Sequence, residues 1–302
     1  MAVFFAALLM QYVVSIKAGL VNHVQGSANV VALESVRAGH SIKTGPDGYV
    51  EILLRPGSFL RLGENSEATI DDTDLATVKV TIVRGPALVE AGERVGRDRP
   101  ITITTGNLTT AIIQTGIYRF ENGQATVLQG KLVTGDSKLT YAKGWQVFYK
   151  DNYRARKAEK IQETSLDLYS QQRSGMIAQA NLSLTNSLSG SPTYNSFDVW
   201  LFSANLHCFT FIPGTNVRSP YGYRLYAVNS RIARNYADYG SPATASNNTS
   251  GGGNTTAPQD NSNSGAVPAP APAPTASTPS GQVSTPGTYV DSKNTAVGAT
   301  VR

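Results

Sequence analysis

Apolar and polar residues alternate with a period of two over much of the first half of the chain. In Val78–Val83, Val80 and Ile82 fall on the same side as Val78, while Lys79, Thr81 and Val83 take the other. Similar short runs recur at Tyr49–Leu54, Phe59–Leu62, Ile101–Thr105, Ile117–Glu121, Ala125–Leu128, Lys131–Thr134 and Trp145–Tyr149. Such alternation predicts strands with one buried face and one wetter face. Turn residues separate the runs: Gly45-Pro46-Asp47-Gly48, Pro56-Gly57, Gly85-Pro86, Gly106-Asn107, Asn122-Gly123 and Gly135-Asp136. Asn-Gly between two β runs predicts a tight hairpin, because both central positions of a type I′ turn need positive φ. Closely spaced turns of this kind predict an all-β sandwich, barrel or roll over residues 19–150.

Beyond that region the period changes. A helix is predicted over Ser165–Leu184, with Thr164 or Ser165 as N-cap and Asp167 favourable in the first turn. Leu168, Gln172, Met176, Ala180 and Leu184 recur at intervals of four, with Tyr169 and Ile177 beside them, and form the stripe expected to dock on the β unit. The basic segment Lys150–Lys160 reads as a solvated connector, or as a contact for an anionic partner such as lipid head groups or cell-wall polymer. A 191–240 segment then concentrates aromatic residues between Pro and Gly turns.

Two end segments differ from the rest. Ala2–Ile16 is almost wholly apolar but shorter than the ~20 residues of a membrane span. Residues 1–18 are therefore expected to act as an export signal, the alternative being a buried strand or core helix. Membrane contact is expected only through this segment. Ser241–Arg302 lacks Leu, Ile, Phe and Trp and is dense in Ser, Thr, Asn, Pro, Ala and Gly, so residues 241–302 are expected to be a disordered tail. The five expected parts are thus 1–18, 19–150, 151–190 (basic connector and helix), 191–240 and 241–302.

Composition narrows the chemistry. The 302 residues carry 26 basic and 21 acidic side chains, a net charge of +5 that is scattered rather than clustered, so a nucleic-acid partner is not expected. The one cysteine, Cys208, excludes an intrachain disulfide and reads as a small buried apolar residue. No phosphate-loop, dinucleotide, nucleophile-elbow or zinc-protease spacing occurs, and neither a cofactor nor a metal is expected. Asp71-Asp72-Thr73-Asp74 is read as a solvated turn rather than a calcium loop. Glu90 and Glu93 make no glycosidase without a cleft.

Four segments together resemble the FecR-like domain family, named for the periplasmic part of an iron-citrate regulator. They are Gly48–Asn65 (GYVEILLRPGSFLRLGEN), Val80–Gly92 (VTIVRGPALVEAG), Arg99–Gly106 (RPITITTG) and Gln114–Val133 (QTGIYRFENGQATVLQGKLV). The resemblance covers about Ala38 to Tyr149. It implies an all-β fold, either a twisted β-solenoid or a β-sandwich, without catalytic residues. With the docked C-terminal helix, the aromatic segment and the tail, the whole is similar to secreted FecR-domain proteins of acidobacteria. Family regulators also carry a helical anti-sigma segment and a transmembrane helix ahead of the domain, and the resemblance is not expected to extend to sigma-factor control.

The function expected is a non-catalytic binding or scaffolding module of the bacterial envelope, periplasmic or at the cell surface. The alternatives are a ligand-sensing component of a transmembrane signalling system and a carbohydrate- or cell-wall-binding protein. Trp200, Phe202, Phe211, Tyr221 and Tyr223, with the guanidiniums of Arg218 and Arg224, form the expected binding surface for an envelope protein or polysaccharide. Packing against the chain's own sheet is the competing reading of the same aromatics.

Overall fold

The computed structural model describes residues 17–92, 95–135, 139–188 and 198–228. The apolar segment 1–16, the tail 241–302 and most of the Ser/Gly/Pro stretch after the helix lie outside the described residues. Fifteen strands build the β unit: β1 (Leu20–Gln25), β2 (Ser41–Lys43), β3 (Tyr49–Leu53), β4 (Phe59–Leu62), β5 (Glu67–Asp72), β6 (Lys79–Arg84), β7 (Ala87–Ala91), β8 (Ile101–Thr105), β9 (Leu108–Ile112), β10 (Gly116–Glu121), β11 (Gln124–Gln129), β12 (Lys131–Thr134), β13 (Thr140–Ala142), β14 (Trp145–Lys150) and β15 (Asn152–Lys157). After them come helix α1 (Ser165–Leu188), the hairpin β16 (Val199–Ser203) and β17 (Cys208–Ile212), and the short pair β18 (Val217–Arg218) and β19 (Arg224–Leu225).

The β unit is a two-sheet fold. One sheet runs β1-β3-β4-β7-β10-β11-β14-β15 and the other β13-β12-β9-β8-β6-β5-β2. Each grows in chain order, because the chain alternates between the sheets a strand or hairpin at a time. This is how a sandwich acquires solenoid-like winding, and it joins the two architectures the sequence left open. The pairings are antiparallel except β6 with β8. Between the sheets lies one apolar core that includes Val50, Leu60, Ile70, Val80, Ile103, Phe120 and Val127. The Asn122-Gly123 turn joining β10 to β11 has φ of 51° and 71°, the positive pair that its hairpin requires.

All eight sequence-read strands are present. The strands missed are those with weak or mixed patterns, such as Ser41–Lys43, Thr140–Ala142 and Asn152–Lys157. The last corrects the connector reading: it pairs with Trp145–Lys150 along six positions and forms the end strand of the larger sheet.

Helix α1 begins as expected. Thr164 Oγ1 accepts from the Asp167 N–H at 3.3 Å, while the Asp167 carboxylate accepts from the Thr164 N–H at 2.8 Å, a reciprocal capping box. Its buried face coincides with the expected stripe only in part: Tyr169, Ile177 and Ala180 are buried as expected, whereas Leu168, Gln172, Met176 and Leu184 are not. Leu168 is 55% exposed, and the face against the protein consists of Leu166, Tyr169, Ser170, Arg173, Ser174, Ile177, Ala180, Asn181 and Thr185. Apolar periodicity turned the face toward Leu168 and left out Ser170, Arg173 and Ser174 because the sheet beneath these residues is charged.

Candidate functional site

Strands β3, β4 and β7 are buried on both faces, one against the sandwich core and the other beneath α1 and the β16–β17 hairpin. On the covered face, three charged side chains interrupt apolar runs: Glu51 in YVEIL, Arg61 in FLRL and Glu90 in ALVEA. Strand register brings them together. Glu51 is the cross-strand partner of Arg61, and Glu90 is opposite Phe59, two residues from Arg61. Helix α1 contributes a fourth charge, Arg173, from above.

The four charges form a closed network. Arg61 Nε donates to Glu51 Oε2 at 2.8 Å, and Arg61 Nη1 to Glu90 Oε2 at 2.6 Å and Ser170 Oγ at 2.7 Å. Arg173 Nη2 donates to Glu51 Oε1 at 2.8 Å, an oxygen that Asn22 Nδ2 also reaches at 2.8 Å. Ser174 Oγ donates to Glu90, and the Tyr221 hydroxyl donates to Ser170 Oγ at 2.8 Å. The Arg61 guanidinium also lies 4.9 Å from the Phe59 ring centre. None of the four charged side chains is more than 2% exposed.

The two carboxylates respond differently to the same burial. Burial alone would raise Glu51, but two guanidiniums, Arg61 and Arg173, outweigh it and hold the group down to about 2. Burial prevails at Glu90, which is raised, because its one guanidinium is shared with Glu51, whose own negative charge adds to the shift. Arg61 and Arg173 are both raised: burial opposes their charge and the carboxylates overcome it. His23 at the margin donates to or accepts from the Tyr169 hydroxyl at 3.0 Å, and burial followed by Arg173 lowers it.

Two asparagines fasten the C-terminal hairpin to this platform by imitating backbone pairing. Asn22 accepts from the Phe209 N–H at 2.6 Å and donates to its carbonyl at 3.0 Å. Asn181 accepts from the Tyr226 N–H at 2.7 Å and donates to the Tyr226 and Phe211 carbonyls, each at 3.0 Å. Chemically, the arrangement can bind and hold chain segments. Its carboxylates are committed to guanidiniums and have no route to a substrate.

The expected aromatic surface is divided by the fold. Trp200 and Phe211 are 1% and 6% exposed and pack with Leu53, Phe59, Ile177, Phe209 and Leu225. This corrects their assignment to a binding surface: their large apolar areas are spent on joining the hairpin to the sheet. Phe202 and Tyr223 are half-buried, as is Tyr221, whose hydroxyl is engaged with Ser170. Arg218 and Arg224 are exposed and are cross-strand partners in β18–β19. Cys208, the first residue of β17, is buried. Asp71, Asp72 and Asp74 bond to Thr69, Thr81, Thr77 and nearby backbone N–H groups at the β5–β6 turn. Glu93 lies outside the described residues.

Glu51, Arg61 and Arg173 escaped the sequence reading. The available signal was a charge at the centre of an otherwise apolar strand, which shows that the strand's second face is also covered.

Among the described residues, no helix is long and apolar enough to cross a membrane. Residues 40–133 match a family model described as FecR protein. No curated protein matches the chain. Among solved structures, two crystal structures of a proposed anti-sigma factor from Parabacteroides distasonis, at 2.50 and 1.65 Å resolution, are similar at 11% identity. They cover 47% and 45% of this chain and 73% and 65% of their own, with TM-scores of 0.33 and 0.34.

Proposed function

We propose, from the premise that residues 40–133 of this chain form a FecR domain, that the protein is a non-catalytic binding or scaffolding module of the bacterial envelope. One observation carries this reading. Glu51 and Glu90, the buried carboxylates at the centre of the domain, are consumed in ion pairs that hold the chain's own helix and hairpin. A general acid or base has to reach the proton it moves, and these groups reach the guanidiniums, a serine hydroxyl and the Asn22 amide of the chain itself. The network therefore serves to present a rigid platform extended by its C-terminal segment. Export through the apolar segment 1–16 is part of the same proposal.

The test is fractionation of a bacterial host expressing the full chain, with chemical crosslinking on intact cells. The chain should be recovered from the envelope or medium, joined to an envelope component. Glycoside, ester and peptide reporters should show no turnover above buffer. Cytosolic recovery, or turnover that co-purifies with the chain, overturns the proposal. A second reading is a ligand-sensing component of a transmembrane signalling system. It is supported by the polar character of the α1 contact, since charged pairs suit a segment that docks and releases. It requires crosslinks to a membrane-spanning partner that change with ligand.

A further inference from the structure

Helix α1 covers the outer face of the larger sheet as far as β10, where Ile117 meets Leu166 and Tyr169, and the Leu128 end of β11, which packs against the same cluster. Beyond it the outer face continues over β14, β15 and the Gln124 end of β11, with Thr126 buried between them. Tyr118, Phe120, Ala125, Val127 and Val147 belong to the core, and Tyr153 and Ala155 pack against it. The alternate residues therefore occupy the opposite face. Register aligns them in two rows across four strands. One row is Glu121, Gln124, Phe148, Arg154 and the other is Arg119, Thr126, Gln146, Arg156. At ~4.8 Å between strands, each row spans roughly 14 Å.

The chemistry of this face is uneven in an informative way. Phe148 is half-buried yet belongs to none of the apolar clusters, so its ring is an isolated flat surface on a polar sheet. Gln124 is its cross-strand neighbour on β11, and Gln146 precedes it by two on β14. Arg154 and Arg156 are exposed on the end strand, with Lys150 at the end of β14, also exposed. Arg156, an exposed side chain, donates through Nε to Gln146 Oε1 at 2.9 Å. The acid on these rows is Glu121, while Arg119 is matched by Asp167. A depression of about 170 Å³ lined by Arg119, Glu121, Asn122, Gln124 and Thr126 deepens the end away from Arg154 and Arg156.

We propose that this face binds an acidic polysaccharide. It rests on the envelope-binding reading above and names the partner and the surface. A sugar ring stacks on Phe148, its hydroxyls meet the glutamine amides, and a uronate carboxylate pairs with the guanidinium forks of Arg154 and Arg156. The depression takes the neighbouring sugar. Charge complementarity requires an anion, and the length of the rows requires an extended one. A lipid surface fits less well, since membrane adsorption uses a broad apolar face and the apolar member here is a single half-buried ring.

The test is titration calorimetry of the full chain with polygalacturonate, alongside a neutral glucan and phosphatidylglycerol vesicles. Polygalacturonate should bind, more weakly as salt rises, and Phe148→Ala should weaken binding at least tenfold. Arg154→Gln combined with Arg156→Gln changes only exposed side chains, keeps the circular dichroism and melting temperature, and should have an effect of the same size. Absence of binding, binding unchanged in these variants, or equal binding to the glucan or the vesicles overturns the proposal. Co-sedimentation with isolated envelopes separates the two levels. If the wild type and both variants sediment equally, this face is not the contact and the envelope reading stands. If the wild type does not sediment, the envelope reading itself fails.

Discussion

Glu51 and Arg61 stand directly opposite each other in the β3–β4 register, bonded at 2.8 Å with neither side chain reaching solvent. A cross-strand ion pair is ordinarily a surface feature of modest worth. Here α1 seals it, Arg173 pairs with the second Glu51 oxygen, and Glu90 pairs with Arg61 Nη1. The domain and its C-terminal segment therefore share one electrostatic unit.

Removing one member should be costly. Arg61→Met leaves Glu90 without its guanidinium and Glu51 with only Arg173. By the behaviour of broken buried pairs it should destabilise by about 3–5 kcal/mol. Urea unfolding monitored by circular dichroism measures this, and a loss below 1 kcal/mol (about the worth of an exposed pair) would show that the network is not sealed.

The hairpin clamp should behave as a hydrogen-bonding device rather than as packing. Asn181→Leu keeps bulk but strips the partner from the Tyr226 N–H and from two carbonyls. A cost of about 1–3 kcal/mol is expected for each buried group left unpaired. The β16–β17 hairpin should gain amide hydrogen exchange before the sandwich does.

The two faces of α1 should separate cleanly. Leu168→Ser, on the exposed face, should change stability by no more than about 0.5 kcal/mol. Ile177→Ala, beneath the hairpin, should cost about 2–4 kcal/mol. The opposite order would place the docking face on the Leu168 side of the helix.

Trp200 tests core against surface. Trp200→Ala should cost about 3–5 kcal/mol through the cavity it leaves. Any loss of ligand binding in that variant should track the loss of folded protein, as read from parallel melting curves.

Acid should loosen the structure in two stages. His23 is lowered on folding, so the unfolded chain takes up the proton more readily. The stability His23 contributes is complete above its ordinary value of about 6.5 and is lost as pH falls through the lower folded value. Glu51 acts in the same direction further down, between its ordinary value of about 4.3 and the folded value of about 2. Glu90, being raised, runs the other way, but in the window above its ordinary value, so it opposes the first stage and leaves the second unchanged. Urea midpoints should fall between pH 7.5 and 5.5 in the wild type and stay nearly level in His23→Gln. An equal fall in both would assign the first stage to another group.

Period-two runs, glycine turns and the Asn122-Gly123 signal were enough to read a two-faced β unit and most of its strands, because each reports on the few residues around it. The N-cap of α1 was legible for the same reason. The helix face and the aromatic surface were not. Whether Trp200 meets solvent depends on Phe59 and Ile177, residues far from it in sequence. Whether Arg61 is a surface charge or a buried one depends on a helix that arrives more than a hundred residues later. Local alternation can show that a strand has two kinds of side, but what lies against each side is a property of the assembled sheets. The charged positions in β3, β4 and β7 marked that boundary. Only the tertiary structure showed them neutralising one another, and leaving the far end of the same sheet open.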